Sequence, residues 1–319
     1  MNPPAPYLSV VLPCFNEGLV IEETHRRLAA VCRGLGRPYE IIVVNDGSTD
    51  DSWTRLEQLC ARDPALVAVN LSRNHGHQLA LSAGLYFARG QRILIMDADL
   101  QDPPELLPEM IAKMDAGADV VYARRRSRPG DAPLKRLFCT AYYRLLRGLA
   151  DSQIQLDTGD FRLINRRVAD LLVAMPERHR FIRGMVSWVG FRQEPVLYDR
   201  DPRFAGQTKY PFGKLLRLAI DGLISSSLKP LKFGFFVGGL AIVVSGILGV
   251  YALASWLFVN KTPQGWTSIL LAVVFFGGVQ LLILGILGEY VGRTFEQTRG
   301  RPLFLVDRVV RGQAPPSKN

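Results

Sequence analysis

The sequence predicts an α/β protein: a doubly wound, mainly parallel sheet followed by a C-terminal two-helix transmembrane hairpin. Apolar runs without alternation, such as Ile93 to Met96, read as strands buried on both faces, as a parallel sheet requires. Segments with helical spacing separate those runs, which is the order of a doubly wound sheet. Near the C-terminus, Phe233 to Val259 and Trp266 to Gly288 carry no charged residue, and each exceeds the roughly 20 residues that cross a bilayer.

Taken in order, Tyr7 to Leu12 is the first strand, expected to stop at Pro13. Asn16-Glu17-Gly18 opens a helix with Ile21, Leu28, Val31 and Leu35 at roughly helical spacing, closing at Gly34 and Gly36. The second strand, Glu40 to Asn45, ends at Asp46, and Gly47 to Asp51 supplies a tight turn with several N-cap candidates. Leu66 to Leu71 is the third strand, and the polar Ser72 to His77 leads into a helix over Gln78 to Arg89. Ile93 to Met96 is the fourth strand and Asp119 to Ala123 the fifth. Phe212 to Leu228 sets Phe212, Leu215, Leu216, Ala219 and Leu223 on one face and Lys214, Arg217, Asp221 and Ser225 on another. That pattern fits an interfacial helix or one packed on the first domain. The expected divisions are a cytosolic α/β domain over 1–210, an interfacial helix over 211–230, two transmembrane helices (233–259 and 266–288) within 231–292, and a cytosolic basic tail over 293–319.

A chain of 319 residues allows about two units. Its net charge of +10 calls for an anionic partner: nucleic acid, a lipid surface or a phosphorylated substrate. The basic residues gather beside the membrane segments and in Arg124-Arg125-Arg126-Ser127-Arg128, so lipid and phosphate are expected and nucleic acid is not. Lys229 and Lys232 flank the first span, and Arg293, Arg299, Arg301, Arg308 and Arg311 follow the second. By the positive-inside rule this is a multi-pass protein of the plasma membrane with the α/β domain and both termini cytoplasmic. Met1-Asn2-Pro3-Pro4 lacks the features of a signal peptide, in keeping with that placement. Cys14, Cys32, Cys60 and Cys139 have neither zinc nor disulfide spacing, which fits a reducing compartment. Gly238-Gly239 and Gly277-Gly278 leave room for close helix packing, so a homo-oligomer is a further expectation.

Acidic residues follow three of the strands: Glu17, then Asp46, then Asp97 and Asp99. Parallel strands bring these to one carboxyl edge, where open α/β sheets bind ligands. Asp97 and Asp99, with only Ala98 between them, suit one divalent ion that also touches a phosphate. No Gly-x-Gly-x-x-Gly follows the first strand and no Walker lysine loop is present, which disfavours dinucleotide and P-loop sites. A carboxylate and metal cleft suits a nucleoside diphosphate instead. His75 and His77 read as surface imidazoles and Trp188 as a core aromatic.

Pro13-Cys14-Phe15-Asn16-Glu17, Asn45-Asp46-Gly47-Ser48-Thr49-Asp50 and Asp97-Ala98-Asp99-Leu100-Gln101-Asp102-Pro103-Pro104-Glu105 resemble the signatures of family 2 glycosyltransferases of the GT-A fold. More narrowly, the chain resembles the polyprenyl-phosphate glycosyltransferases, from about Leu8 through Tyr210 and into the membrane segments. The resemblance implies an inverting, metal-dependent transferase moving a sugar from a UDP- or GDP-linked donor to polyprenyl (undecaprenyl) phosphate at the bilayer. It implies that Pro13, Phe15, Glu17, Asp46 and Asp97 bind the nucleotide sugar, joined by Arg203 and Lys209 from a later segment around Gly206. Asp97, Asp99 and Gln101 would surround Mg2+ or Mn2+, Arg124 and Arg136 would bind the acceptor phosphate, and Asp157, ahead of Asp160, would stand beside the acceptor as the catalytic carboxylate. Two other readings stay open: a family 2 enzyme with another lipid or polysaccharide acceptor, and a non-catalytic nucleotide-binding membrane scaffold. The lack of a Gln-x-x-Arg-Trp segment argues against a processive synthase.

Overall fold

The computed structural model describes residues 5–126, 158–199, 229–259 and 265–312. These fall into two compact units, one holding the residues up to 199 together with 301–312, the other 229–300.

The first unit is built on one eight-stranded sheet. Its strands are β1 (Leu8–Cys14), β2 (Tyr39–Asn45), β3 (Leu66–Leu71), β4 (Arg92–Ile95), β5 (Val120–Arg125), β6 (Thr158–Asn165), β7 (Gln193–Tyr198) and β8 (Val306–Arg311), in the spatial order β7-β5-β6-β4-β1-β2-β3-β8. β4, β1, β2 and β3 run parallel, as do β5 and β7, whereas β6 runs antiparallel to both β4 and β5 and β8 antiparallel to β3. The mainly parallel expectation therefore holds, with two reversed strands that sequence pattern did not distinguish.

Successive residues on the strands serve opposite faces. Val10, Leu12, Ile41, Val43 and Leu94 join a core with α1 (Ile21–Gly34), α2 (Ser52–Cys60) and α4 (Leu107–Asp115). Val11, Ile42, Val44, Ile93 and Ile95 join a second core with α3 (His77–Phe87), α5 (Arg166–Ala174) and α6 (Ile182–Val189). Two covered faces explain why the strands read as continuous apolar runs. Trp188, expected in the core, lies on the outer side of α6 and is 72% exposed.

β1 continues past the expected stop, through a buried Pro13 to Cys14. Met96 donates to the carbonyl of Val11, so residues 11 and 13 face β4, while the N–H of Asp46 bonds the Cys14 carbonyl on the β2 side. β4 has already ended at Ile95 where Pro13 stands, so the missing donor costs no ladder bond.

The second unit contains α7 (Lys229–Val259) and α8 (Trp266–Thr298). Among the described residues one stretch, Ala272–Thr298, is long and apolar enough to cross a membrane, and Phe236–Leu248 is a shorter apolar stretch. α8 runs on past the expected end of the second span at Gly288, and Arg293 Nε donates to Glu289 Oε1 at 2.8 Å one turn along. The segment expected as a basic tail supplies β8 instead. Residues 212–228, expected as an interfacial helix, lie outside the described residues.

Candidate active site

The parallel strands deliver their C-terminal loops to one edge of the sheet, and side-chain to backbone bonds lace those loops together. After β1, Asn16 takes a left-handed conformation (φ 56°), and its Oδ1 accepts from the Thr49 N–H at 2.8 Å. The Asn16, Glu17 and Gly18 amides donate to Ser48 Oγ, Ser52 Oγ and Asp50 Oδ2. Of the expected N-cap candidates, Asp50 is the one that accepts from the Ser52 amide, at 3.0 Å. Phe15 is 40% exposed beside this knot, Pro13 is buried beneath it, and Glu17 is half-buried.

Asp46 is almost wholly buried, and its two oxygens accept from the His75 amide at 2.7 Å and the Gly76 amide at 2.9 Å. Burial raises its pKa, and the two amides oppose that rise. Each oxygen keeps a second lone pair for a ligand. His75, expected at the surface, is partly buried in the loop that Asp46 pins.

The turn after β4 is drawn against α1 by Thr24, whose Oγ1 donates to the Ala98 carbonyl at 2.8 Å. Leu100 is buried in a left-handed conformation (φ 58°), and Asp99 Oδ1 accepts from the Gln101 amide at 3.2 Å to close the turn. A bulky residue held there costs on the order of 1–3 kcal/mol, strain of the kind that gathers at ligand sites. Asp102 is fully buried and accepts from the Tyr198 hydroxyl at 2.5 Å, which ties the turn to β7. Arg125 Nε reaches the same hydroxyl at 3.4 Å.

Asp97 has one buried oxygen, Oδ1, with no hydrogen-bond partner; His77 Nε2 stands 3.5 Å away. Burial, reinforced by Asp160, Asp102 and Asp99 and opposed by His77, pushes its carboxyl up to about 6. His77 also meets Asp160 Oδ2 at 3.3 Å. Burial works against a charged imidazole here, but the bond to Asp160 and the charges of Asp97 and Asp160 outweigh it and lift His77 to about 9. His77 is exposed, as expected of a surface imidazole, but its ring is engaged by two carboxylates. It opens α3 and joins the loop after β4 to β6.

Asp160 is buried on β6 and receives Gln78 Nε2 at 3.2 Å and Arg183 Nη2 at 3.3 Å, with Arg162 Nη2 at 3.9 Å. Burial alone would raise its pKa; His77, Arg183 and Arg162 reverse that and hold the carboxyl far below its usual range. Arg162 is itself pushed down to about 10 by burial. No sequence pattern marked His77, Gln78 or Tyr198, because their partners Asp160 and Asp102 are remote in the chain and meet them only through the sheet; Arg162 instead bonds the carbonyls of Asp160 and Gly159 on its own strand.

Of the expected acceptor residues, Arg124 is exposed at the C-terminal end of β5, opposite Thr158 on β6, while Arg125 turns inward beside Tyr198. Arg136, Asp157, Arg203 and Lys209 lie outside the described residues.

The turn offers oxygen donors suited to a hard divalent ion, and the buried Asp97 Oδ1, which makes no hydrogen bond, has room in its coordination for one. Among the described residues no three His, Cys, Asp or Glu side chains gather as a metal cage. Mg2+ bound through one or two carboxylates and the phosphates of a substrate needs none. The donor set therefore fits an ion shared with a diphosphate.

Residues 9–172 match the family described as glycosyl transferase family 2. An uncharacterized glycosyltransferase of Bacillus subtilis (strain 168), YkcC, is 45% identical over 94% of this chain and 93% of its own. A prophage bactoprenol glucosyl transferase homolog of Escherichia coli (strain K12) is 37% identical over 95% of this chain and 99% of its own. Among solved structures, glucosyl-3-phosphoglycerate synthase from Mycobacterium tuberculosis, in complex with Mn2+, UDP-glucose and phosphoglyceric acid, is 20% identical over 69% of this chain and 79% of its own, with a TM-score of 0.47.

Proposed function

The chain belongs to glycosyl transferase family 2, and on that premise we propose that it moves a sugar from a UDP- or GDP-linked donor to polyprenyl phosphate, with inversion at the anomeric carbon. The observation that carries the reading is the buried Asp97 Oδ1 at the carboxyl edge, which makes no hydrogen bond and faces His77 Nε2 at 3.5 Å, two residues from Asp99. The bactoprenol relative, alike along almost its whole length, supports the lipid acceptor.

Pro13, Phe15, Glu17 and Asp46 form the nucleotide end, where the half-open Phe15 ring offers a face for the base. Asp97, Asp99 and Gln101 would hold Mg2+ or Mn2+, which when bound neutralises charge on the departing nucleoside diphosphate. Arg203 and Lys209 supply further positive charge to the donor. Arg124 and Arg136 bind the acceptor phosphate, for which a guanidinium's planar fork is suited. A phosphate oxygen of the acceptor attacks the anomeric carbon from the face opposite the bond to the diphosphate. The new C–O bond forms as the old one breaks, and the electron pair leaves with the diphosphate. A phosphate monoester has a second pKa of about 6, so the nucleophile is mostly ionised at neutral pH and needs orientation more than a strong base. Asp157 takes that role. Asp160 is ill suited to it, because its carboxylate is spent on His77, Gln78 and Arg183 and resists protonation.

We further read the protein as a multi-pass protein of the plasma membrane with its sheet in the cytoplasm. The test is transfer by the purified full chain from radiolabelled UDP-glucose, GDP-mannose and related donors to undecaprenyl phosphate with Mn2+. Labelled lipid that disappears with EDTA is the expected result. No labelled lipid from any donor would overturn the reading, and undiminished transfer in EDTA would remove the metal from it.

A further inference from the structure

The loop that Asp46 pins is held from its other side by the C-terminal end of the chain. The Leu305 carbonyl accepts from the Ser72 amide at 2.9 Å, and the Leu305 amide donates to His75 Nε2 at 3.4 Å. His75 and Gly76 in turn donate their amides to Asp46. A second line of contacts reaches the same corner: Asn45 Nδ2 donates to Asn70 Oδ1 at 2.7 Å, and Asn70 Nδ2 donates to Asp307 Oδ2 at 3.1 Å. Asp307 stands where the β3–β8 register shifts: Asn70 is opposite Arg308 and Leu71 opposite Val306, so one residue of β8 is left over. The loop has no slack toward β2. A Cβ on Gly47 (φ +65°) would lie 2.6 Å from the backbone of Arg73 and Asn74.

An edge strand needs only its ladder and an apolar face, and β8 has both, with Val309 and the preceding Phe304 packed on one core and Val310 on the other. The polar contacts of Leu305 and Asp307 add something the sheet does not require, since they converge on the residues flanking Asp46.

We propose that Leu305 and Asp307 are positioning residues for the nucleotide end of the site: the segment that follows α8 holds the 72–76 loop, and through it the Asp46 corner, in the conformation that receives the donor. This rests on the donor role proposed for Asp46. The chain reaches the loop directly from α8, which ends at Thr298, so the grip is supplied by the same stretch that leaves the last long helix.

The test uses the full chain in detergent, with His75→Ala, Asp307→Ala, the double variant, and His75→Gln, whose side-chain oxygen can accept from the Leu305 amide. Hydrogen exchange across 72–76 and the KM for UDP-glucose against kcat are measured together. The double variant is expected to expose the His75 and Gly76 amides to exchange about tenfold faster and to raise donor KM by a similar factor, with kcat within about twofold. His75→Gln is expected to restore both toward the parent values. Unchanged protection of those amides in the double variant overturns the proposal, as does a fall in kcat at constant donor KM. Should the parent chain transfer from no donor, the reading of the previous section falls, and exchange alone decides whether the strand grips the loop.

Discussion

Asp97 and Asp160 flank the same imidazole and are driven in opposite directions. Asp97 keeps a buried oxygen without a hydrogen bond, while Asp160 collects four cationic or amide partners. A polar atom buried without a partner weakens the fold, so its presence needs a functional reason. Asp97→Asn is expected to cut sugar transfer by about 100-fold or more while leaving the thermal unfolding midpoint equal or higher. A lowered midpoint would mark Asp97 as structural. Asp160 is the opposite case: its removal as Asp160→Ala strands Arg162 and Arg183 and should cost about 3–5 kcal/mol in unfolding at neutral pH. The sign with pH follows from its depressed folded pKa. The contribution is present above the ordinary carboxyl value of about 3.9 and is lost as pH falls toward the folded one. The parent chain's stability advantage over Asp160→Ala should therefore be constant above about pH 4 and shrink progressively with further acidification, measured by chemical unfolding across pH. At this scale the sequence showed Glu17, Asp46, Asp97 and Asp99 because each follows a strand, and strand ends are visible in apolar runs. It concealed His77 and Tyr198 because their partners, Asp160 and Asp102, are fixed by which strands neighbour each other.

Between elements, the closest approach that positions the site is that of α3 on β1 and β2. A Cβ added at Gly84 would lie 2.3 Å from Val11 Cγ1 and 3.3 Å from Val44 Cγ2, both fully buried. Ala at this helix position would gain roughly 1 kcal/mol in propensity, yet overpacking against two β-branched side chains costs about 1–3 kcal/mol. Gly84→Ala is therefore expected to lower the thermal midpoint, and because α3 carries His77 at its start, to weaken transfer as well. A raised midpoint would show that propensity wins. The first four strands were legible within a residue or two. Two features were not: Pro13 continues β1 because its neighbour has already ended, and β8 looks like a charged tail because Val306-Asp307-Arg308-Val309-Val310-Arg311 is half polar on an exposed edge. Edge strands protect themselves with such charges, which is why their pattern is faint.

For the whole molecule, two long helices follow the α/β unit, and charge placement around them supports the proposed orientation. Thr262→Cys should react with a membrane-impermeant maleimide from the periplasmic side of intact cells, and Ser317→Cys only after the membrane is opened. Equal labelling of both in intact cells would refute the two-span arrangement. Both helices were legible from their lack of charge alone, and among the described residues Ala272–Thr298 is long and apolar enough to cross a membrane, while Phe236–Leu248 is shorter. The reversed strands β6 and β8 were not legible, because direction within a sheet is set by connections that the sequence leaves open.

The pairing of Val67 with Arg311 spans most of the polypeptide. During synthesis the outer side of β3 emerges well before its mate, which leaves the ribosome only after both long helices have been made. Closing so wide a loop is slow, and an uncovered strand edge invites pairing with other nascent chains until it is closed.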